Sequence, residues 1–360
     1  MRLGVPYQSA WLSYVVALVL FVFLTSGNMM RSVRAMDIGP VRTITLPVVQ
    51  GIDRVSNLLS LNRPADALGS ALGREVDDPA DQPVDFDASS TDREDTTPPL
   101  REVTAQVPLE VHVAGDSMGQ TLGQLMEAAG VDDPTLDVTY EYKISSGLAR
   151  PDYYNWPARF AEIAKDVKPE ALVMMIGGND AQELTDAAGN VVARPATAEW
   201  DREYRRRVDE LFDGLRADNR RLFWVLQPDV ASSKHQRSVD AMNAQARASA
   251  KSRPWVTLVD AGALTAGADG GYSDYLTLDD GSRVSCRQSD GVHLTTDCTQ
   301  LVSAAAVADI AATWEIGEPA APAGTPLDLS DGRDASGPGT PTTSGSPAAE
   351  TNPNRGTGED

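Results

Sequence analysis

The chain has 360 residues, 41% of them apolar and 23% charged, an ordinary balance for a globular protein. Its formal net charge of −21, from 52 acidic and 31 basic residues, argues against a general nucleic-acid binder, which needs a basic surface to displace counterions from phosphate. Two cysteines and three histidines exclude a disulfide-framework fold and a metal site rich in His and Cys.

No charged residue occurs between Leu3 and Met30, and the densest apolar run spans 10–24 (AWLSYVVALVLFVFL). With its flanks it approaches the roughly 20 residues of a spanning helix. Arg2 precedes it, and Arg31 and Arg34 follow. Residues 1–36 read as a cytoplasmic tip and an uncleaved transmembrane anchor. The alternative is a cleaved signal peptide with Val33 and Ala35 as its small-residue site. Residues 37–74 read as a juxtamembrane stalk, with Ile52, Val55, Leu58 and Leu59 near helical spacing and no specific partner. Residues 75–106 hold ten acidic residues against two arginines, with prolines at 79, 83, 98 and 99. Such a segment repels itself and is expected to be a disordered linker. Residues 317–360, rich in Pro, Gly, Ser, Thr and Ala, are expected to be a disordered tail.

The remainder, 107–316, alternates strand and helix. Strands are expected at 109–114, 136–144, 171–176, 221–226 and 255–259. Helices are expected at 118–129, 156–167, 198–218, 236–252 and 299–314. The run ALVMMI at 171–176 is continuously apolar, as a central parallel strand is. This order predicts an α/β fold, a parallel sheet with helices on both faces. Ligands of such sheets bind at the carboxyl ends of the strands.

Three groups fall at those ends. Gly115-Asp116-Ser117-Met118 follows the first strand, and Ser117 is either a nucleophile or merely the cap of the next helix. Gly177-Gly178-Asn179-Asp180 follows the strand at 171–176, as a turn or as a source of an amide donor to an oxyanion. Asp290-Gly291-Val292-His293 precedes the last helix and offers a base with an orienting carboxylate three residues away. His112 lies inside the first strand and His235 in a loop, so His293 is the candidate base. Cys286 and Cys298 bracket this loop and either pair in an oxidising compartment or stay as free thiols. Arg150, Tyr153, Tyr154 and Trp156 either floor a substrate site or pack at a helix start. Arg205-Arg206-Arg207, among acidic neighbours, reads as a solvated helix face.

In combination and in order, these blocks resemble the SGNH hydrolases, also called GDSL esterases and lipases. Ser145-Ser146-Gly147 stands where that family carries its second-block glycine, and Met118 replaces a leucine common there. The segment 146–157 (SGLARPDYYNWP) is similar to a membrane-anchored bacterial cell-envelope branch. The resemblance implies a flavodoxin-like three-layer domain over 107–316 with Ser117, His293 and Asp290 as triad. It further implies an oxyanion hole from the Ser117 and Gly147 amides and the Asn179 side chain, with no metal or cofactor. The expected activity is that of an extracytoplasmic serine esterase acting on small esters or O-acylated envelope glycans. Alternatives are an O-acyltransferase served by a multi-pass membrane acyl donor, and an inactive glycan-binding scaffold. The GxSxG elbow of other serine hydrolases is absent, as are G-x-G-x-x-G and a P-loop.

Overall fold

The computed structural model describes residues 7–71, 99–278 and 280–317. The tail expected at 317–360 lies outside the described residues except for Gly317, as does the linker before residue 99.

Helix α1 (Tyr7–Leu24) leaves Trp11, Leu12, Leu18 and Phe21 exposed, and a bend leads into α2 (Ser26–Arg34). Among the described residues no single helix is long and apolar enough to cross a membrane. The segments Trp11–Leu24 and Ser26–Arg34, bent by 55°, meet the length and composition test together. Helix α3 (Pro40–Leu58) folds back: Ser26 Oγ donates to Asp53 Oδ1 at 2.8 Å, and Ser56 Oγ donates to the Phe23 carbonyl at 2.7 Å. Met30, Val33, Leu46 and Val49 close a small core between α2 and α3. A short α4 (Arg63–Ala71) follows.

The stalk helix was expected to have no partner, and the structure corrects this. Arg42 is buried against Asp152 of the globular domain, and Gln50 Nε2 donates to the Ala188 carbonyl at 2.6 Å. The buried face of α3 carries Arg42, Leu46 and Val49, whereas Val55, Leu58 and Leu59 point outward. Arg42 can sit inside because a carboxylate meets it there. Residues 99–106, expected in the linker, also run along the domain. Arg101 grips Glu170 with Nε at 2.8 Å and Nη2 at 2.5 Å.

Five strands form the parallel sheet: β1 (Leu109–Gly115), β2 (Leu136–Tyr142), β3 (Ala171–Met175), and, after a hairpin of β4 (Leu184–Thr185) and β5 (Val191–Ala193), β6 (Arg221–Leu226) and β7 (Val256–Asp260). Their order is β2-β1-β3-β6-β7. Alternation along β3 feeds two cores. Leu172, Met174 and Ile176 face one layer, with Trp156, Phe160, Trp200 and Val208. Ala171, Val173 and Met175 face the other, with Leu122, Met126, Val302 and Ile310. The first layer is α6 (Trp156–Asp166), α7 (Ala198–Gly214) and α8 (Ser233–Ala250); the second is α5 (Ser117–Asp132) and α10 (Thr296–Trp314). The three-layer α/β fold expected from the sequence is the fold observed.

Helices α5, α8 and α10 begin one to three residues before their expected starts. Asp116, Ser232 and Thr295 cap them, accepting from the amides of Met118, His235 and Cys298. His235 is therefore helical rather than in a loop. The β4–β5 hairpin, the one-turn α9 (Ala261–Leu264) and a second hairpin of β8 (Tyr275–Thr277) and β9 (Arg283–Ser285) are too short to leave a periodic pattern in the sequence.

Candidate active site

Strand order reverses between β1 and β3, since β1 leads outward to β2 while the chain then returns to the other side of β1. A doubly wound sheet opens a crevice at that switch point, beyond the carboxyl ends of the strands. The loops after β1 and β3 border it.

Gly115 ends β1 where nothing larger fits: an added Cβ would stand 2.2 Å from the Met175 carbonyl oxygen and 2.9 Å from the Gly119 Cα. Asp116 follows and is the cap of α5, its Oδ1 accepting the Met118 amide at 2.8 Å. Because Asp116 takes that task, the Ser117 hydroxyl at the first helical position is left for other use. Oδ2 of Asp116 accepts the amides of Gly177 at 3.1 Å and Gly178 at 2.9 Å, which ties the turn after β3 to the start of α5. Complete burial raises the Asp116 pKa to about 6, against the lowering pull of the Met118 and Gly177 amides.

The structure brings Ser117, His293 and Asp290 together. Ser117 Oγ and His293 Nε2 are 2.8 Å apart across 176 residues of sequence. His293 Nδ1 and Asp290 Oδ2 are 2.6 Å apart. Asp290 Oδ1 accepts the Val292 amide at 2.9 Å and the His293 amide at 3.0 Å, so one carboxylate fixes both the backbone and the ring of His293. Partial desolvation raises the Asp290 pKa, but those amides and the imidazole outweigh it, and the net shift is downward. Asp290 stays ionised and accepts from Nδ1–H, leaving Nε2 as the acceptor facing Ser117.

Gly291 makes the turn at φ +67°, its carbonyl accepting the Ala231 amide at 2.8 Å. Cys286 and Cys298 form a disulfide, Cα–Cα 5.1 Å, joining the residue after β9 to the first turn of α10. The loop carrying Asp290 and His293 is closed by this bridge.

Gly147 and Asn179 lie on the loops after β2 and β3. Asn179 Nδ2 donates to the Ser146 carbonyl at 3.0 Å, which turns the amide and leaves its second N–H for a ligand. Gly147 lies against Asp180, whose buried carboxylate accepts the amides of Leu148 at 2.9 Å and Ala149 at 2.8 Å. Burial raises the Asp180 pKa, opposed by those amides, by the Tyr204 hydroxyl donating at 3.1 Å, and by Arg207. Ser117, at the first helical position, has an amide with no intrahelical acceptor.

One expectation is corrected here, and one open alternative is decided. Arg207 is not part of a solvated face. It is buried and donates to the carbonyls of Leu148 at 2.6 Å, Ala149 at 3.2 Å and Thr185 at 2.7 Å, while Arg206 stays exposed with Glu203 and Glu210. Arg150, Tyr154 and Trp156 pack rather than floor a site. Trp156 is fully buried, with Nε1 donating to Ser146 Oγ at 2.8 Å, and Tyr153 alone of the four keeps partial exposure. The residues missed from sequence are the supports: Asp116 as cap and clamp, Asp180, Arg207, Asp152 and Arg42. Arg207 had a signal, since it shares a helical stripe with Trp200, Tyr204, Val208 and Leu211.

A parallel three-layer domain with serine, glycine, asparagine and histidine on four loops at one sheet edge defines the SGNH class. The chain belongs to the family described as "Protein of unknown function (DUF459)", matched over residues 110–309. No curated protein matches in sequence. Similar solved structures include a GDSL-like lipase from Bacteroides thetaiotaomicron, 15% identical, covering 56% of this chain and 86% of that one with a TM-score of 0.40. Another is an α/β hydrolase enzyme from the metagenome of Lake Arreo, 14% identical, covering 58% and 95% with a TM-score of 0.40. A third is a carbohydrate acetylesterase from Sinorhizobium meliloti, 13% identical, covering 57% and 98% with a TM-score of 0.39.

Proposed function

We propose that the chain is a serine esterase acting on ester-linked acyl groups, with small esters or O-acylated envelope glycans as substrates. The observation that carries the reading is the relay from Ser117 Oγ to His293 Nε2 at 2.8 Å and from His293 Nδ1 to Asp290 Oδ2 at 2.6 Å. Ser117 attacks the ester carbonyl as His293 takes its proton at Nε2, and Asp290 stabilises the imidazolium. The tetrahedral oxyanion faces the Ser117 and Gly147 amides and the free N–H of Asn179. His293 then returns the proton to the leaving alkoxide, and the acyl group rests on Ser117. Water, deprotonated by His293, attacks that acyl-serine; the acid leaves and Ser117 is restored.

We place the catalytic domain outside the cytoplasm, with the N-terminal apolar helices holding it at the membrane. The Cys286–Cys298 disulfide supports an oxidising compartment, and the exposed apolar side chains of α1 support a lipid surroundings.

A fluorophosphonate probe tests the nucleophile. Mass spectrometry is expected to find the adduct on the peptide carrying Ser117, and Ser117→Ala is expected to abolish both labelling and turnover of a chromogenic acetyl ester. Undiminished turnover by Ser117→Ala sinks the reading. Acyl transfer to a sugar hydroxyl in preference to water reassigns the chain as an O-acyltransferase.

A further inference from the structure

Buried charge links the helix after the apolar N-terminal segment to the loop that carries Gly147. Asp152 is fully buried, and three parts of the chain donate to it: Arg42 Nη2 from α3, Arg150 through Nε and Nη2 at 3.0 Å each, and Thr185 Oγ1 from β4. Arg150 Nη2 also donates to the carbonyl of Arg34 at the end of α2, at 2.5 Å. The next contacts reach the oxyanion loop. The Thr185 amide donates to the Ala149 carbonyl at 2.9 Å, and the Ala149 amide donates to Asp180 Oδ1 at 2.8 Å. Gly189, at φ +88° in the β4–β5 turn, lets α3 approach: an added Cβ would stand 2.9 Å from Leu46 Cδ2 and 3.0 Å from Arg42 Nη2.

Burying an arginine on a carboxylate is a poor way merely to fasten a stalk. Apolar side chains of similar volume hold two surfaces at least as well, because the ions lose hydration that their attraction scarcely recovers. What the pair does supply is direction. Arg42 Nη2 holds one oxygen of the Asp152 carboxylate, and that carboxylate in turn holds Arg150, next in sequence to residues 147–149, and Thr185, whose amide meets the Ala149 carbonyl.

We propose that Arg42 is a positioning residue of the active site: docked on Asp152, it sets the 147–149 loop, so the N-terminal helices complete the oxyanion geometry. The proposal rests on the esterase reading above. Attachment and catalysis are then coupled, since an undocked α3 leaves the triad intact but the Gly147 amide loosely held.

The test uses the full chain in detergent micelles, with Arg42→Met, Arg42→Lys, Leu46→Asp and, on the exposed face of the same helix, Val41→Ser. Read are kcat and KM for an acetyl ester, the fluorophosphonate labelling rate, the Tm, and amide hydrogen exchange of residues 147–149. Arg42→Met and Leu46→Asp are expected to lower kcat by about 10- to 100-fold, the range for a sub-ångström to ångström misplacement. KM is expected to stay within about twofold, exchange at 147–149 to quicken, Arg42→Lys to recover most of the rate, and Val41→Ser to match the wild type. Wild-type kcat in folded Arg42→Met and Leu46→Asp overturns the proposal. So does a Tm below the assay temperature in both, since the helices would then serve stability alone. If the wild type neither labels nor turns over ester, the esterase reading fails by itself, and the exchange at 147–149 still decides whether Arg42 sets the loop.

Discussion

Gly147 lies against the carboxylate of Asp180 so closely that an added Cβ would stand 2.0 Å from Oδ1. The carboxylate cannot retreat, because it is held by the amides of Leu148 and Ala149 and by the Tyr204 hydroxyl. Gly147→Ala must therefore move the loop itself. The expected cost is about 1–3 kcal/mol of stability, as for other overpacked sites. Ester turnover is expected to fall by about 10²-fold or more, the loss for a missing oxyanion donor. Urea unfolding and kcat measured on the same preparation check both. A variant with wild-type kcat removes the Gly147 amide from the hole.

Asp116 makes a pH prediction with a definite sign. Its folded pKa of about 6 lies above the ordinary 3.8, so between those values the folded chain holds a proton that the unfolded chain has released. Stability from this group is greatest below about 4 and is lost as pH rises through about 6, by about 3 kcal/mol in all. Asp116→Asn cannot titrate there. Denaturation midpoints of both proteins from pH 4.5 to 7.5 should show the wild type losing ground to the variant up to about pH 6.5, then a constant difference. A constant difference throughout would mean that the three amides hold Asp116 ionised across the range.

The strands that place the site were legible because they are largely buried: the run ending at Ile176 is apolar at every position, and the run ending at Gly115 is interrupted only by Glu110 and His112. The candidate triad was legible because Ser117 stands at the end of such a run, and Asp290 and His293 share one short loop before the last helix. The supports were hidden for a physical reason. Arg42, Asp152, Asp180 and Arg207 are ionisable residues buried against polar partners, and in sequence a charge reads as solvent-exposed until its partner, up to 110 residues away for Arg42 and Asp152, is known. Helical phase is the one local cue, and it places Arg207 on the apolar stripe but says nothing of the carbonyls it meets.

The Cys286–Cys298 disulfide closes the loop that presents Asp290 and His293, with the two cysteines 12 residues apart. Replacing both by alanine is expected to cost about 2–3 kcal/mol in the chain-entropy account and to lower kcat, since the His293 ring is less firmly held. The Tm of the double variant should fall, and dithiothreitol should lower the wild-type Tm towards it while leaving the variant unchanged. A reductant effect of equal size on both would assign the change to something other than this bridge.

Arg206 and Arg207 are adjacent in sequence and should behave in opposite ways. Arg206 is exposed and meets only Glu203 and Glu210 on its own helix, so Arg206→Met should change stability by no more than about 0.5 kcal/mol. Arg207 supplies hydrogen bonds to three buried carbonyls, those of Leu148, Ala149 and Thr185. Arg207→Met leaves them without that donor, at roughly 1–3 kcal/mol for each oxygen left unsatisfied. Two of the carbonyls, those of Leu148 and Ala149, belong to the segment whose amides Asp180 holds, so kcat should fall with stability. Arg207→Lys keeps the charge but lacks the fork, and should fall between. Urea unfolding and ester turnover of the three variants decide it: equal effects of Arg206→Met and Arg207→Met would mean that the guanidinium of Arg207 is not what holds residues 148 and 149 in place.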